Sequence, residues 1–330
     1  MAITQPFWNS ISKALVVGTA LLFSGCVAAQ GNNPTPASTP VPGLVRMAYS
    51  PTWAPDGQRI AFLFRSRKEN SQEVHDILYS SLLDGSDLVK VRELRPARFK
   101  TVSWDASGEN FLLTSEDTEE IYLMDKNGEN FRKLSDGDNP NWHPTEARFV
   151  STYDNTCEAN DRVGGTQCQR QIRLYDVVTG VLTALPVKLE REIYAPAWSS
   201  DGLKILWLST KTPQSKELDQ RVLEYHTYNL ASQSHQSVDV NPSALTFADA
   251  EWSKDRSLMV FNYLSNIHMY FFSLSQSFAI TPGTDPSLSE DNTRVLYTNR
   301  LGENRADIAL FDRRDNSIST VISHRSLPLE

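Results

Sequence analysis

The sequence predicts an all-β fold, a six-bladed β-propeller of four-stranded antiparallel blades. Two observations carry that expectation. A tryptophan followed by a tight polar turn recurs along the chain, and each copy is followed by strand-like apolar runs in a fixed order. The clearest copy is Pro51-Thr52-Trp53-Ala54-Pro55-Asp56-Gly57, leading into Ile60-Ala61-Phe62-Leu63-Phe64. Equivalent turns follow Trp104, Trp142, Trp198 and Trp252, and Leu288 takes the tryptophan's place in a sixth copy. These anchors lie 51, 38, 56, 54 and 36 residues apart, a spacing that suits one blade each.

Before the first repeat, Lys13 and the apolar run Ala14 to Phe23 read as an export signal, too short for the roughly 20 residues of a membrane span. The segment ends Leu22-Phe23-Ser24-Gly25-Cys26, which resembles a bacterial lipobox and makes Cys26 the expected lipidation site. Ordinary cleavage after Ala29 is the alternative. Gln30 to Gly43 holds four prolines and no charge, a composition that cannot build a core. Extended at about 3.1 Å per residue, it would hold a domain roughly 40–50 Å from a membrane. The expected organisation is an export signal over 1–25, anchor and linker over 26–43, a propeller over 44–325 and a short tail over 326–330.

Within each repeat the run after the turn is almost continuously apolar, as in Ile205-Leu206-Trp207-Leu208 and Leu258-Met259-Val260-Phe261. Such a run predicts a strand covered on both faces, whereas a half-exposed strand alternates. Asp-Gly before it predicts a two-residue hairpin. A third strand follows (Ile121 to Asp125 and Ile172 to Asp176 are the clearest), and a polar turn such as Asn127-Gly128 leads to a fourth. Four antiparallel strands with both faces buried predict sheets stacked around an axis. The five repeated tryptophans are expected to be equivalent and largely buried.

Trp53 to Phe62, the strand Glu120 to Asp125 and the run Asn127 to Leu134 together resemble the repeat of TolB-type (WD40-like) propellers over about residues 46–323. The third copy departs by lacking the Asp-Gly turn, the fifth by Lys254-Asp255-Arg256 and the sixth by Leu288. The resemblance implies the fold and an extracytoplasmic, cell-envelope address. TolB-type proteins carry a further N-terminal α/β domain, for which no residues are expected here, and no partner-binding residues can be matched. Membership in a Tol–Pal complex is therefore not implied.

The motifs of common chemistries are missing. The sequence contains no Gly-x-Ser-x-Gly elbow, Walker-A loop, dinucleotide fingerprint or His-Glu-x-x-His. The six histidines never pair at metal-ligand spacing; His226 and His268 are expected in blade packing, and His143 is a candidate for the channel. The Asp125-Lys126-Asn127-Gly128 and Asp136-Gly137-Asp138-Asn139 segments read as turns, without EF-hand spacing. A net charge of −8 argues against nucleic acid. No catalytic residue, cofactor or metal is expected.

The expected function is binding of an envelope protein or a cell-wall polymer by a monomeric, lipid-anchored propeller. The alternative is a channel-mouth enzyme such as a polysaccharide lyase or hydrolase. Long connections between second and third strands are expected in blades one, three, four and six, all on one face. Arg67, Lys68, Arg162, Lys216, Arg300 and Arg305 in them are the candidate contacts. Cys157 and Cys168 bracket the blade-three connection, and export predicts a disulfide between them, contributing about 2.5–3 kcal/mol in the chain-entropy model.

Overall fold

A computed structural model describes residues 44–67, 73–95, 98–160, 165–187, 193–211, 222–240 and 248–328. For 156–160, 165–169, 210–211, 222–223, 239–240 and 248 it describes the backbone alone. Cys26 and the signal and linker lie outside the described residues.

The described chain is all-β, without a helix. It runs through consecutive quartets of strands. The first is β1 (Val45–Trp53), β2 (Arg59–Arg67), β3 (His75–Leu82) and β4 (Val89–Leu94). The second is β5 (Phe99–Trp104), β6 (Asn110–Ser115), β7 (Glu120–Asp125) and β8 (Arg132–Asp136). The third is β9 (Asp138–Trp142), β10 (Arg148–Asn160), β11 (Gly165–Asp176) and β12 (Leu182–Ala184). The fourth is β13 (Ile193–Trp198), β14 (Lys204–Lys211), β15 (Val222–Asn229) and β16 (Ser234–Val240). Then follow β17 (Ala248–Trp252), β18 (Leu258–Tyr263), β19 (Asn266–Phe271) and β20 (Gln276–Pro282). The last is β21 (Thr284–Leu288), β22 (Arg294–Gly302), β23 (Arg305–Asp312) and β24 (Ser317–Ile322).

The middle four quartets are separate four-stranded antiparallel sheets. The first and last are not: they merge into one eight-stranded sheet, a departure from the six free blades the repeats predict. The reason lies in how the ring closes. Every quartet is one continuous piece of chain, so no strand is shared across the seam. Closure falls to a short parallel pairing in which Arg46 and Met47 of β1 lie against Arg305 and Ala306 of β23. The Arg46 amide donates to Asn304 O (2.9 Å), and Trp53 Nε1 donates to Ser287 O (3.1 Å).

Each second strand is buried on both faces, as its unbroken apolar run requires. In β2, Ile60, Phe62 and Phe64 join Leu296 and Ile308 of the last quartet, while Ala61 and Leu63 join Phe99 and Phe111 of the second. The same division repeats around the molecule: Leu112 packs with Phe149, Val150 with Trp198, Leu208 with Trp252, and Val260 with Leu288. The core is thus a series of slabs between successive sheets.

Trp53, Trp104, Trp142, Trp198, Trp252 and Leu288 each end a first strand. They oppose Ile60, Phe111, Phe149, Ile205, Met259 and Val295 in register. Trp53, Trp198 and Trp252 are buried, but Trp104 and Trp142 are only half-buried. Their rings meet Phe111 at a tilt (4.0 Å) and Phe149 edge-on (6.1 Å) at the rim of a slab.

The turns after them are longer than two residues. From Trp53 to Arg59, as in the other five copies, five residues intervene, because polar side chains cap the loop from within. Asp56 Oδ1 accepts from the Gln58 and Arg59 amides, and Ser199, Ser253 and Ser289 cap the later copies. In the third copy His143 does this work. Its Nδ1 accepts from the amides of Thr145 (3.2 Å) and Glu146 (3.0 Å), and its ring meets Trp198 edge-on at 4.5 Å. His143 is therefore a buried turn cap, not a channel residue. Burial first, then the Arg148 charge, holds its pKa below the usual value.

His226 of β15 lies flat on Trp207 at 5.0 Å, with Nε2 2.8 Å from Ser209 Oγ and Nδ1 3.0 Å from His235 Nε2. Burial pushes its pKa from 6.5 down to about 4. Between those values the unfolded chain holds the extra proton, so the stabilisation is complete above pH 6.5 and is lost as pH falls toward 4. Urea midpoints at pH 7 and pH 5 should therefore fall more for the parent protein than for His226→Gln. An equal fall in both would remove His226 from the acid response. Glu251, raised to about 7 by burial, works in the opposite direction but is common to both proteins.

Candidate functional site

The first strands share a second feature that the repeat did not announce. Each breaks register with its neighbour three or four residues before the tryptophan or leucine that ends it. In five of them a non-glycine residue takes positive φ there: Ser50 (48°), Asn139 (50°), Ala195 (46°), Asp249 (49°) and Asp285 (50°). In β5 the unpaired residue is Lys100. A β-bulge inserts one residue and re-aims its side chain, a device common at rims and sites. Here the first strands touch one another in chain order, β1 to β5, β9, β13, β17 and β21, and β21 returns to β1. The bulges therefore ring the axis at the end where the first strands begin.

That ring is charged. Lys100 Nζ reaches across to Asp138 Oδ2 (2.8 Å), and Thr284 Oγ1 donates to Asp285 Oδ2 (3.1 Å). Arg300 Nε lies 3.4 Å from the same Thr284 hydroxyl. Asp249 keeps solvent access while protein surrounds its carboxyl, which is pushed up to about 6. Burial is the main cause, followed by Asp285; Asp138, two quartets away, adds to it, while Asn262 and Arg300 oppose it. Groups from two other quartets, Asp285 and Arg300 of the last and Asp138 of the third, thus act on one carboxyl. The arrangement supplies a carboxyl of raised pKa, two further carboxylates and two cations around the ring. Among the described residues, no group of three or more His, Cys, Asp or Glu is arranged to hold a metal ion.

The expected long loops on this face are largely strand. β10 and β11 pair from Arg148↔Asp176 out to Asn160↔Gly165. β9 accompanies them only to Thr152, and β12 only to Arg173, with one further amide bond from Leu185 to Ile172. From Asp154 to Asn160 the hairpin is a two-stranded arm, roughly 20 Å long at about 3.4 Å per residue. In the last quartet β22 and β23 likewise run to a two-residue turn after Gly302. Arg300 and Arg305 are therefore exposed strand residues. Arg67 ends β2 half-buried, opposite Val45. Lys68, Arg162 and Lys216 lie outside the described residues.

Cys157 and Cys168 stand directly opposite each other in the arm's register; their side chains are not described. Two strands alone are marginal in water, which gives a cross-strand disulfide a purpose there. Alkylation of the unfolded, unreduced protein should label neither cysteine. Labelling at both excludes the bond.

Asp138, which the sequence places in a turn, instead opens β9 and pairs with Lys100. Asp125 does belong to a turn, where its Oδ1 accepts from the Asn127 and Glu129 amides. Away from the mouth, a groove of about 380 Å³ lies between the first two sheets on the opposite face, lined by Pro55, Val91 and the rim tryptophan Trp104.

Fold and mouth together define a β-propeller with a polar axial opening and a projecting hairpin. Among solved structures, the chain is similar to TolB from Acinetobacter baumannii, at 16% identity and a TM-score of 0.57, over 86% of this chain and 66% of that one. It thus spans about two thirds of that protein's length. An oligogalacturonate lyase in complex with manganese matches at 12% identity and TM-score 0.51, over 85% of this chain and 78% of that one. A Mycobacterium tuberculosis puromycin-hydrolyzing peptidase matches at 11% and 0.53, over 87% and 54%. No family model matches the sequence, and no curated protein sequence does. At these identities the likeness establishes the propeller fold.

Proposed function

We propose that the chain is an exported propeller, held to a membrane through lipidated Cys26, that binds another protein of the cell envelope without catalysing a reaction. The eight-stranded sheet counts in this reading as two blades joined at the seam, six in all. The ring of first strands and the slabs between successive quartets support that count. The observation that carries the binding role is the β10–β11 arm, a ribbon of backbone standing clear of its sheet beside the axial mouth. Such a ribbon offers unpaired strand edges to a partner. Arg67, Lys68, Arg162, Lys216, Arg300 and Arg305 are the proposed contacts around it.

The test is in-cell photocrosslinking with the probe at Glu158 or at Arg300, and at Gln58 on the opposite face as the control. A discrete crosslinked protein is expected from the first two positions only. Trimming residues 156–169 to a short turn should abolish it and leave the thermal midpoint within a few degrees. Capture that survives trimming but fails when Asp56-Gly57 and Asp201-Gly202 are altered would move the site to the opposite groove.

One observation favours a second reading, an enzyme acting on an acidic polysaccharide: the raised carboxyl of Asp249 beside Arg300 suits proton transfer near neutral pH. Turnover of oligogalacturonate that Asp249→Asn abolishes would replace the binding role with this one.

A further inference from the structure

The seam between the first and last quartets carries an open cavity of about 530 Å³, lined by Leu44, Arg46, Arg305, His324 and Arg325. We infer that this cavity is an anion site for a phosphate-bearing group. Three arginines elsewhere on this face are neutralised by carboxylates: Arg65 by Asp76 and Glu116, Arg98 by Asp117, Arg170 by Asp154. In the cavity no carboxylate pairs with Arg46, Arg305 or Arg325 among the described residues. Asp307 contacts the cavity's His324 and is engaged by it: the His324 amide and Nδ1 lie 2.7 and 2.6 Å from its Oδ1.

Arg46 is buried, yet it is fixed without being neutralised. Its Nε and Nη2 donate to His324 O (3.0 and 2.7 Å), Nη2 also donates to Leu327 O, and its guanidinium lies 5.7 Å from the centre of the Phe64 ring. Carbonyls and a ring face hold the fork in place and leave its positive charge standing. Arg305 is also its direct partner in the parallel pairing. Like charges placed opposite one another across strands are destabilising. An anion between them converts that repulsion into attraction. The Arg46 fork is spent on the two carbonyls, so Arg46 contributes its charge and Nη1, while the guanidinium fork of Arg305 matches phosphate oxygens in geometry. Leu44 gives the cavity one apolar wall, and its volume exceeds that of a lone phosphate. Free phosphate and a phospholipid headgroup share the required chemistry.

The full-length Cys26→Ser chain, which lacks the proposed lipid anchor, would be titrated with inorganic phosphate at constant ionic strength, with chloride as reference, and tested by vesicle flotation. Phosphate should raise the thermal midpoint where chloride does not. Arg305→Gln combined with Arg325→Gln, both at exposed positions, should weaken phosphate binding at least tenfold without lowering the midpoint in chloride. Flotation with phosphatidylglycerol vesicles but not phosphatidylcholine vesicles, lost in the double variant, assigns the site to a headgroup; a phosphate response without flotation assigns it to a free ligand. No phosphate-specific shift, or an equal one in the double variant, overturns the site. A chain ending at Pro328 should bind phosphate as the parent does. Binding that appears only after this truncation would mean that the chain's own terminal carboxylates fill the cavity, and would also overturn it. Neither result bears on the photocrosslinks from Glu158, so failure here is separable from failure of the binding role.

Discussion

Trp198→Ala should be the most damaging of the tryptophan substitutions, costing about 3–5 kcal/mol, the range for truncating a large buried aromatic. Trp198 is fully buried between the third and fourth quartets, packed with Val150, Ile172 and Trp207. It also carries two groups that depend on it. The Arg148 guanidinium lies over its ring at 4.7 Å, and His143 meets it edge-on. Truncation leaves a void and removes one wall of the turn that His143 caps. Trp104→Ala should cost roughly half as much or less, because that ring is half-exposed and buries less area. Trp198→Phe should retain most of the stability, since the buried indole N–H has no hydrogen-bond partner to lose. Urea denaturation decides the order. Equal losses for Trp198→Ala and Trp104→Ala would show that the slabs do not carry the stability.

Asp76→Ala should cost a similar amount, about 3–5 kcal/mol, for a different reason. Asp76 is buried and accepts Arg65 Nε (2.8 Å), Arg65 Nη2 (2.9 Å) and the Phe99 amide (2.7 Å), tying the first quartet to the second. Its removal strands a largely buried guanidinium and an amide. Glu116, half-exposed at 2.7 Å from Arg65, compensates in part. Despite burial, Arg65 is held firmly charged, its pKa raised by the hydrogen bond to Asp76 and by the nearby Tyr49, Asp76 and Glu116. The control is Asp117→Ala, which breaks the exposed pair with Arg98 and should cost about 0–1 kcal/mol. Comparable losses from both would mean that burial does not govern these pairs.

The repeat was legible because its information is local. Trp53, the Pro55-Asp56-Gly57 turn and the apolar run from Ile60 to Phe64 announce a hairpin covered on both faces, and recurrence of the unit announces stacked sheets. Sheet-core positions such as Phe62, Leu112 and Val260 could be named from those runs alone. Cys157 and Cys168 were visible as a pair, but their direct opposition comes from the register of a hairpin that reads locally as a polar loop. The bulges lay beyond sequence reasoning, because a one-residue slip at Ser50, Lys100 or Asp249 leaves no mark on a short first strand. The mouth is a product of ring closure: Lys100 meets Asp138, and Asp249 feels Asp285 and Asp138, only because sheets remote in sequence converge on one axis. Arg46 is the plainest case. Nothing around it in the chain separates it from the other arginines, and its burial beside Arg305 and His324 exists only where the last quartet returns to the first. Local patterns determine strands and turns, whereas the charges that face one another are chosen by how the ring closes.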